Sequence, residues 1–106
     1  LIPISGYAIS SDIRDDPAPR HFSLFQNYPN PFNPVTNIRF RISERTFVRL
    51  SIFDILGREI SVLVNEEQIA GTYEENFSGA DFPSGVYFYT LRAGNFSDTK
   101  KFILMK

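Results

Sequence analysis

Residue types that carry enzymatic chemistry are sparse in this chain of 106 residues. A hydrolytic triad needs a base beside its nucleophile and a third group that orients the base. The chain has a single histidine, His21, and no cysteine, so thiol nucleophiles, disulfides and thiolate metal sites are excluded. His21 lies at the junction of a linker and a domain, where an exposed boundary residue is expected. We therefore predict no catalytic residue, no cofactor and no enzymatic activity.

Adjacent carboxylates, the other candidates for acid–base or metal chemistry, occur at three places, Asp15-Asp16, Glu66-Glu67 and Glu74-Glu75. The last pair falls in a predicted strand, where neighbouring side chains point to opposite faces and cannot converge on one substrate. The other two pairs fall in predicted loops, which favours solvated charge. A calcium site that combines Asn65 with the second pair matches no ligand spacing that can be defended. The sequence therefore predicts no metal site.

The composition is that of one globular domain rich in strands. Eleven basic residues against twelve acidic ones give a net charge of -1, so no basic field attracts nucleic acid, and no small-molecule substrate is indicated. Hydrophobic residues make up 42% of the chain, and 11 Phe and 5 Tyr with a single Met favour strands over a helical bundle. The longest apolar runs are too short to cross a bilayer as a helix.

A change of composition divides the chain near residue 22. Residues 1–9 are compatible with the last strand of a preceding domain, and residues 10–20 are rich in aspartate and proline, which is typical of linkers. The chain begins with Leu1, and its first residues lack the basic start and long apolar run of a signal peptide. We expect residues 1–21 to be a linker and possible end of a preceding domain, residues 22–106 to be the domain, and the whole to be a C-terminal piece of a longer protein.

Alternation of apolar and polar residues predicts about seven strands, at residues 22–25, 35–42, 46–54, 58–64, 72–78, 86–92 and 96–105. A tight reversal with a positive φ is expected at Gly57, and residues 65–71 are expected to form a loop or a helical turn. No window keeps a helical period. Short strands at this spacing, separated by glycine and proline turns, predict an all-β fold, a single immunoglobulin/fibronectin-III-like β-sandwich.

Apolar residues on the predicted strands divide into core positions and outward positions. The expected core positions are Ile38, Phe40, Ile42, Val48, Leu50, Ile52, Tyr87, Tyr89, Leu91, Phe102 and Leu104, with one shared face for Ile60, Val62 and Val64. The residues left facing outward, which together exceed the apolar patch that a monomer normally exposes, are Phe53, Phe88, Ile103 and Met105. We predict that these four form a docking patch for another protein. The alternative is that a loop, the linker or the parent protein covers them.

Nine residues, Gln26-Asn27-Tyr28-Pro29-Asn30-Pro31-Phe32-Asn33-Pro34, contain three prolines and three asparagines. Each proline fixes its own φ and removes a backbone donor, so the segment can form neither a helix nor a central strand. The residue before each proline is pushed to extended geometry, and asparagine amides close turns against their own backbone. The sequence predicts a stiff, bent ribbon from which Tyr28 and Phe32 plug one end of the core.

The ribbon belongs to a longer series of motifs: Leu24-x-Gln26 to Pro34, Thr36-x-Ile38-x-Phe40, Val48-x-Leu50-x-Ile52-Phe53-Asp54-x-Leu56-Gly57-Arg58, Ala70-Gly71, Ser84-Gly85-Val86-Tyr87-Phe88-Tyr89, Ala93-Gly94 and Thr99-Lys100-Lys101-Phe102-x-Leu104-x-Lys106. In this order, over residues 22–106, they resemble the type A C-terminal sorting domain of the type IX (Por) secretion system. Many relatives carry tryptophan followed by aspartate where this chain has Asn76-Phe77-Ser78, which we interpret as a packing substitution.

The resemblance implies a non-catalytic protein-transport signal. Such domains are covalently linked to an N-terminal cargo domain, which reaches the periplasm by a separate signal. The outer-membrane type IX translocon then recognises the domain, and a sortase-like peptidase usually removes it and can attach the cargo to a surface lipopolysaccharide. The implied location is the periplasm in transit, then the extracellular space or the outer cell surface. Cleavage is expected between residues 10 and 22, where the chain is exposed.

By matched position, the resemblance implies a sorting motif at Pro29, Asn30, Pro31, Gly85, Val86, Tyr87, Lys100, Lys101 and Lys106. The last strand would offer an edge and lysine charges to a partner by strand addition. A function of a different class is a carbohydrate-binding module or a spacer β-sandwich module of an exported hydrolase. Carbohydrate-binding modules stack sugars on exposed aromatic rings, usually including tryptophan, which this chain lacks, so Tyr73 and Phe88 are the remaining candidates.

Overall fold

The structure, a computed structural model, describes residues 21–106 of the chain. The predictions for residues 1–20, which include most of the linker, the end of a preceding domain and the expected cleavage region, lie outside the described residues. Seven strands form: β1 (Ser23–Leu24), β2 (Val35–Ile42), β3 (Thr46–Phe53), β4 (Glu59–Gln68), β5 (Gly71–Ser78), β6 (Gly85–Ala93) and β7 (Phe96–Leu104).

The strands build two antiparallel sheets that share one core. The three-stranded sheet has the order β1-β2-β5, and the four-stranded sheet has the order β4-β3-β6-β7. Buried hydrophobic residues from both sheets form a single cluster, and residues 21–106 contain no helix. The prediction of an all-β sandwich of seven strands is confirmed, while its immunoglobulin/fibronectin-III-like subtype stays a prediction.

Alternation of inward and outward side chains explains β2, β3, β6 and β7. In β2, Ile38, Phe40 and Ile42 are fully buried, while the arginines between them are exposed. The predicted core residues of β3, β6 and β7 are likewise buried. Each large apolar side chain that is buried in this way contributes roughly 1.5–3 kcal/mol to folding. The inward assignments are therefore confirmed for these four strands.

Aromatic rings dominate the centre of the core. Measured between ring centroids, Phe102 lies 5.0 Å from Phe32, 5.3 Å from Tyr89, 5.7 Å from Phe77 and 6.1 Å from Tyr87. At such distances, tilted and edge-to-face pairs add about 0.5–1.5 kcal/mol beyond the burial of their area. The rings come from the ribbon, β5, β6 and β7, so this cluster ties four separate segments together.

Strand β4 differs from its prediction in two ways. The strand extends to Gln68, so the loop predicted from residue 65 is wrong. The polar end of β4 pairs with β3, for example Asn65 with Arg49. This pairing is possible because backbone hydrogen bonds need no apolar side chain. Register shifts in the pairing with β3 also break the alternation. Val62 is therefore exposed while Val64 is buried, and the predicted shared face of Ile60, Val62 and Val64 is wrong.

Asp54 fixes the turn between β3 and β4. Its Oδ1 accepts hydrogen bonds from the backbone N–H groups of Leu56 (3.0 Å) and Arg58 (2.9 Å), and its Oδ2 accepts one from Arg58 Nε (2.7 Å). The bond from the Arg58 backbone is the main reason why the pKa of the Asp54 carboxyl is lowered. Gly57 has a φ of 83°, which confirms the predicted reversal.

The strand directions define two ends of the sandwich. The ribbon end comprises residues 28–34, 54–58, 79–87 and 103–106. The opposite end comprises residues 21–22, 43–47, 68–71 and 93–96, because β1, β3 and β7 begin there and β2 ends there. Phe22 stacks on Phe96 at this opposite end, with 5.7 Å between ring centroids.

Candidate functional site

The ribbon crosses from one sheet to the other. Tyr28 exchanges two backbone hydrogen bonds with Asn37 of β2, at 3.0 and 2.9 Å, and Phe32 forms a parallel bridge with Leu104 of β7. The peptide bonds before Pro29, Pro31 and Pro34 are cis. Because the segment pairs with a strand of each sheet, it closes one side of the sandwich rather than adding a strand to either sheet.

Asn27 is the polar centre that holds the ribbon. Its side-chain Nδ2 donates to Thr36 Oγ1 (2.9 Å) and to the carbonyl of Pro29 (3.1 Å), and the Thr36 hydroxyl donates to the same carbonyl (2.8 Å). The backbone N–H of Asn27 donates to the Tyr89 hydroxyl (2.8 Å), which donates to the carbonyl of Phe25 (2.7 Å). Both Asn27 and Thr36 are buried, so each bond replaces one that water would otherwise make.

The two aromatic residues of the ribbon differ in their surroundings. Phe32 is buried in the aromatic cluster, as predicted, but Tyr28 is 80% exposed, so its predicted role as a plug is wrong. The reason is that Asn27 occupies the inward position beside Tyr28, and its amide is bonded to Thr36. Neighbouring residues of an extended segment point to opposite sides.

The ribbon covers the last part of the β7 edge. Gln26 Nε2 donates to the carbonyl of Lys101 (2.8 Å), and the backbone N–H of Ile103 donates to Asn30 Oδ1 (3.0 Å). The carbonyl of Ile103 accepts from Phe32 N–H (3.0 Å), and Met105 N–H donates to the Phe32 carbonyl (2.9 Å). The expectation that this strand end offers a free edge for strand addition is therefore wrong, because its outward groups are already paired.

The loop after β5 and the last residues pack onto the same end. The backbone N–H of Gly79 donates to the carbonyl of Pro34 (2.7 Å). A Cβ at Gly79 would lie 2.7 Å from Leu104 Cδ2, so any larger residue would force this buried side chain to shift. Lys106 donates from its backbone N–H to Ser84 Oγ (3.0 Å) and from Nζ to the carbonyl of Ala80 (2.6 Å).

Beside these segments lies an open apolar cleft of about 450 Å³. Its walls are the β3–β4 turn and the loop that leads into β6, and its lining includes Ile55, Leu56, Phe82, Val86 and Tyr87. Leu56 is 73% exposed. Burial, followed by the negative charge of Asp54, raises the pKa of the Tyr87 hydroxyl, which donates a hydrogen bond to the carbonyl of Pro83 (2.6 Å).

The structure brings most of the residues of the predicted sorting motif to this one end. Pro29, Asn30 and Pro31 are exposed on the ribbon. In the β6–β7 pairing, Gly85 lies opposite Leu104, Val86 opposite Ile103 and Tyr87 opposite Phe102, with Lys106 just beyond. These segments meet although more than fifty residues separate the ribbon from β6 along the chain.

Two lysines of the predicted sorting motif lie apart from the rest. Lys100 is opposite Tyr89 and Lys101 is opposite Phe88, farther along β7. As neighbours on a strand they point to opposite faces, and Lys100 lies 3.9 Å from Asp98. The lysines therefore do not form one continuous positive surface with Lys106.

The residues of the predicted docking patch lie on the outer face of the four-stranded sheet and at its edge. Phe53 and Phe88 are directly opposite each other on β3 and β6. These two side chains and Ile103 are half-buried, and Met105 is exposed. The patch reaches the ribbon end through Ile103 and Met105.

Sequence reasoning missed the side chains that organise this end. Nothing in the sequence indicates that Asn27 and Thr36 are buried, because polar residues in a proline-rich segment and at the start of a strand suggest solvent exposure. Ile55 and Leu56 fall between two predicted strands, beside the reversal expected at Gly57. Their apolar character at an exposed reversal is the signal that could have indicated a surface for a partner.

Residues 21–106 contain no group of three or more histidines and carboxylates that could hold a metal ion. None of the described residues belongs to a helix that is long and apolar enough to cross a membrane.

The family model of the secretion system C-terminal sorting domain matches residues 26–105, from the ribbon to the end of β7 and one residue beyond it. None of the curated proteins matches the chain. The matched segment contains the ribbon, the residues of the cleft and the β6–β7 pair. Members of this family are C-terminal secretion signals, which direct an attached N-terminal cargo to the cell surface or the extracellular space, and the family is not known as catalytic. The chain belongs to the secretion system C-terminal sorting domain family of type IX secretion.

Proposed function

We propose that the outer-membrane type IX translocon recognises the folded ribbon end of this domain. The observation that carries the proposal is that the ribbon, the start of β6 and residues 103–106 meet at one end of the sandwich, where the start of β6 and the β3–β4 turn also line an exposed apolar cleft. Apolar residues that line a concave surface are the usual anchors of a protein interface. In this proposal the machinery binds a surface that exists only after folding, rather than a linear peptide.

The residues proposed as contacts are Pro29, Asn30, Pro31, Gly85, Val86, Tyr87 and Lys106 at the ribbon end, with Lys100 and Lys101 farther along β7. The patch of Phe53, Phe88, Ile103 and Met105 is proposed as a second contact. Its support is its continuity with the ribbon end, since Ile103 pairs with Val86, a residue of the cleft.

We further propose the route that the family resemblance implies. The cargo passes through the periplasm, the translocon captures the ribbon end, and a sortase-like peptidase cleaves between residues 10 and 22. The position of His21 and Phe22 supports this order of events, because the chain enters the described domain at the opposite end of the sandwich. A domain that is held by its ribbon end would leave the cleavage region accessible.

The positions of Tyr73 and Phe88 do not support the carbohydrate-binding alternative. Tyr73 lies on β5 in the three-stranded sheet, stacks on Phe40 at 5.4 Å and donates from its hydroxyl to the carbonyl of Ile69. Phe88 lies on the outer face of the other sheet. Because the two rings lie on different sheets, they cannot form the single planar platform that stacks a sugar.

Leu56→Asp should lower export of a reporter fused in front of the domain by about tenfold, since the loss of one apolar anchor of about 1.4 kcal/mol has that effect on binding. The matched control is Ile69→Asp, because Ile69 is 63% exposed but lies at the opposite end. The measurement is the fraction of reporter outside the cell in a host with type IX secretion. Removing residues 99–106 would be a poorer test, because it also removes the buried Phe102 and Leu104.

Both variants should unfold at the same temperature as the unmodified domain, because neither side chain is buried. Wild-type export of the Leu56→Asp fusion would contradict the proposal. An equal loss of export from both variants would also contradict it, since the opposite end would then matter as much as the ribbon end.

A further inference from the structure

A row of hydroxyl groups crosses the outer face of the four-stranded sheet. Ser51 of β3 lies opposite Thr90 of β6, which lies opposite Thr99 of β7. The Oγ1 atoms of the two threonines are 2.8 Å apart, so one donates to the other. The acceptor of this bond keeps its own proton for a further partner. Ser51 is only 4% exposed, yet its side chain lines an open cavity of about 400 Å³ on this face.

Two arginines lie in register in the row beside the hydroxyl groups. Arg49 of β3 is directly opposite Arg92 of β6, an arrangement of like charges that destabilises an antiparallel pair. Arg49 forms an ion pair with Glu59. Within residues 21–106, Arg92 has no carboxylate partner, so the cavity is lined by two guanidinium groups against one carboxylate.

We infer that this cavity binds a tetrahedral oxyanion, the phosphate or sulfate group of a ligand. The Arg92 guanidinium supplies a planar pair of N–H donors that matches such an anion, and Arg49 adds positive charge while Glu59 holds it in place. Ser51 and whichever of Thr90 and Thr99 accepts the bond between them supply two neutral O–H donors on the adjoining row. The anion relieves the repulsion between the two arginines, which gives it a preferred position between β3 and β6.

The cavity shares Phe53 with the predicted docking patch, but no residue of the ribbon end lines it, so the inference does not rest on recognition of the ribbon end by the translocon. A shallow cavity with one excess positive charge binds weakly. We expect a dissociation constant on the order of 1 mM for inorganic phosphate near neutral pH.

The test is a titration of the 106-residue chain with inorganic phosphate and with sulfate, followed by amide and arginine side-chain NMR signals, against sodium chloride at equal ionic strength. Saturable shifts are expected around Ser51, Thr90 and Arg92, and chloride should not reproduce them. Arg92→Gln should weaken binding by about tenfold. Glu59→Gln should strengthen it, because Arg49 then becomes free to bind the anion. Arg41→Gln is the control, since Arg41 lies over the Phe25 ring on the other sheet.

Vesicles of phosphatidylglycerol and of phosphatidylcholine decide the source of the phosphate. Binding to the first alone, lost in Arg92→Gln, identifies a lipid headgroup, and binding to neither supports a soluble phosphorylated or sulfated ligand. Shifts that grow linearly without saturation, or that chloride reproduces, would overturn the inference. Unchanged phosphate affinity in Arg92→Gln with native NMR dispersion would overturn it as well.

Discussion

Phe32→Ala should lower the free energy of unfolding of the domain by about 3–5 kcal/mol, the range for removing a fully buried phenylalanine. The Phe32 side chain is 2% exposed. It contacts Phe102 at 5.0 Å and Phe77 at 6.2 Å between ring centroids, so its removal leaves a cavity where the ribbon meets both sheets. Denaturant unfolding, followed by tyrosine fluorescence or circular dichroism, measures the difference.

The control for this change is Phe47→Ala, the same substitution at a side chain that is 57% exposed. It should change the free energy of unfolding by no more than about 0.5 kcal/mol. If Phe32→Ala leaves too little folded protein for a measurement, Phe32→Leu is a milder variant that keeps most of the apolar volume. A loss below about 1 kcal/mol for Phe32→Ala would contradict the buried position of this ring.

Tyr89→Phe should lower the free energy of unfolding by about 2–3 kcal/mol, because it removes one hydroxyl and leaves one buried group and one partly buried group without a partner. That hydroxyl accepts from the backbone N–H of Asn27 and donates to the carbonyl of Phe25. The aromatic ring stays in place, so the change in unfolding free energy reports on the polar contacts of the ribbon alone. Tyr28→Phe is the control, because the Tyr28 side chain is exposed, and it should be close to neutral.

Tyr89 also gives the stability of the domain a dependence on alkaline pH. Burial is the main cause that raises the pKa of Tyr89 to about 12; the hydrogen bond from Asn27 lowers it and the charge of Asp98 raises it further. In the unfolded chain the value is about 10. The stabilisation by the neutral hydroxyl is therefore complete below about pH 10 and is lost as the pH rises from about 10 to about 12. In Tyr89→Phe this part of the pH profile should be flatter, and an unchanged profile would contradict the assignment.

Most of the strands could be predicted from the sequence because the alternation of apolar and polar residues indicates which side chains are buried. Ile38, Phe40 and Ile42 show this in β2. The end of β4 could not be predicted in the same way, because Asn65 pairs with β3 through its backbone, and its side chain carries no trace of that pairing.

The candidate site was predictable as a set of positions but not as an arrangement. The resemblance named Asn30 and Val86, but only the structure shows that Asn30 bonds to Ile103, the residue that pairs with Val86. The polar hub at Asn27 was not predicted, since no local pattern distinguishes a buried asparagine from one that closes a turn. The same hub explains why Tyr28 is exposed.

The covered edge of β7 limits how a partner can bind the domain during export. An unpaired strand edge is a template for aggregation, and the ribbon pairs the outward groups between Lys101 and Met105. A partner that adds a strand at this place must first displace the ribbon. A partner that binds the apolar cleft at Leu56 and Val86 meets no such barrier, which favours recognition of the intact ribbon end.

The most direct test of recognition at the ribbon end is site-specific crosslinking during export. A photo-reactive amino acid is placed at position 56 in one fusion and at position 69 in another, and the crosslinked products are identified in a host with type IX secretion. The ribbon end should yield a crosslink from position 56 to an outer-membrane component of the translocon, and position 69 should yield none. Crosslinks to that component from position 69 alone, or equally from both positions, would contradict recognition at the ribbon end.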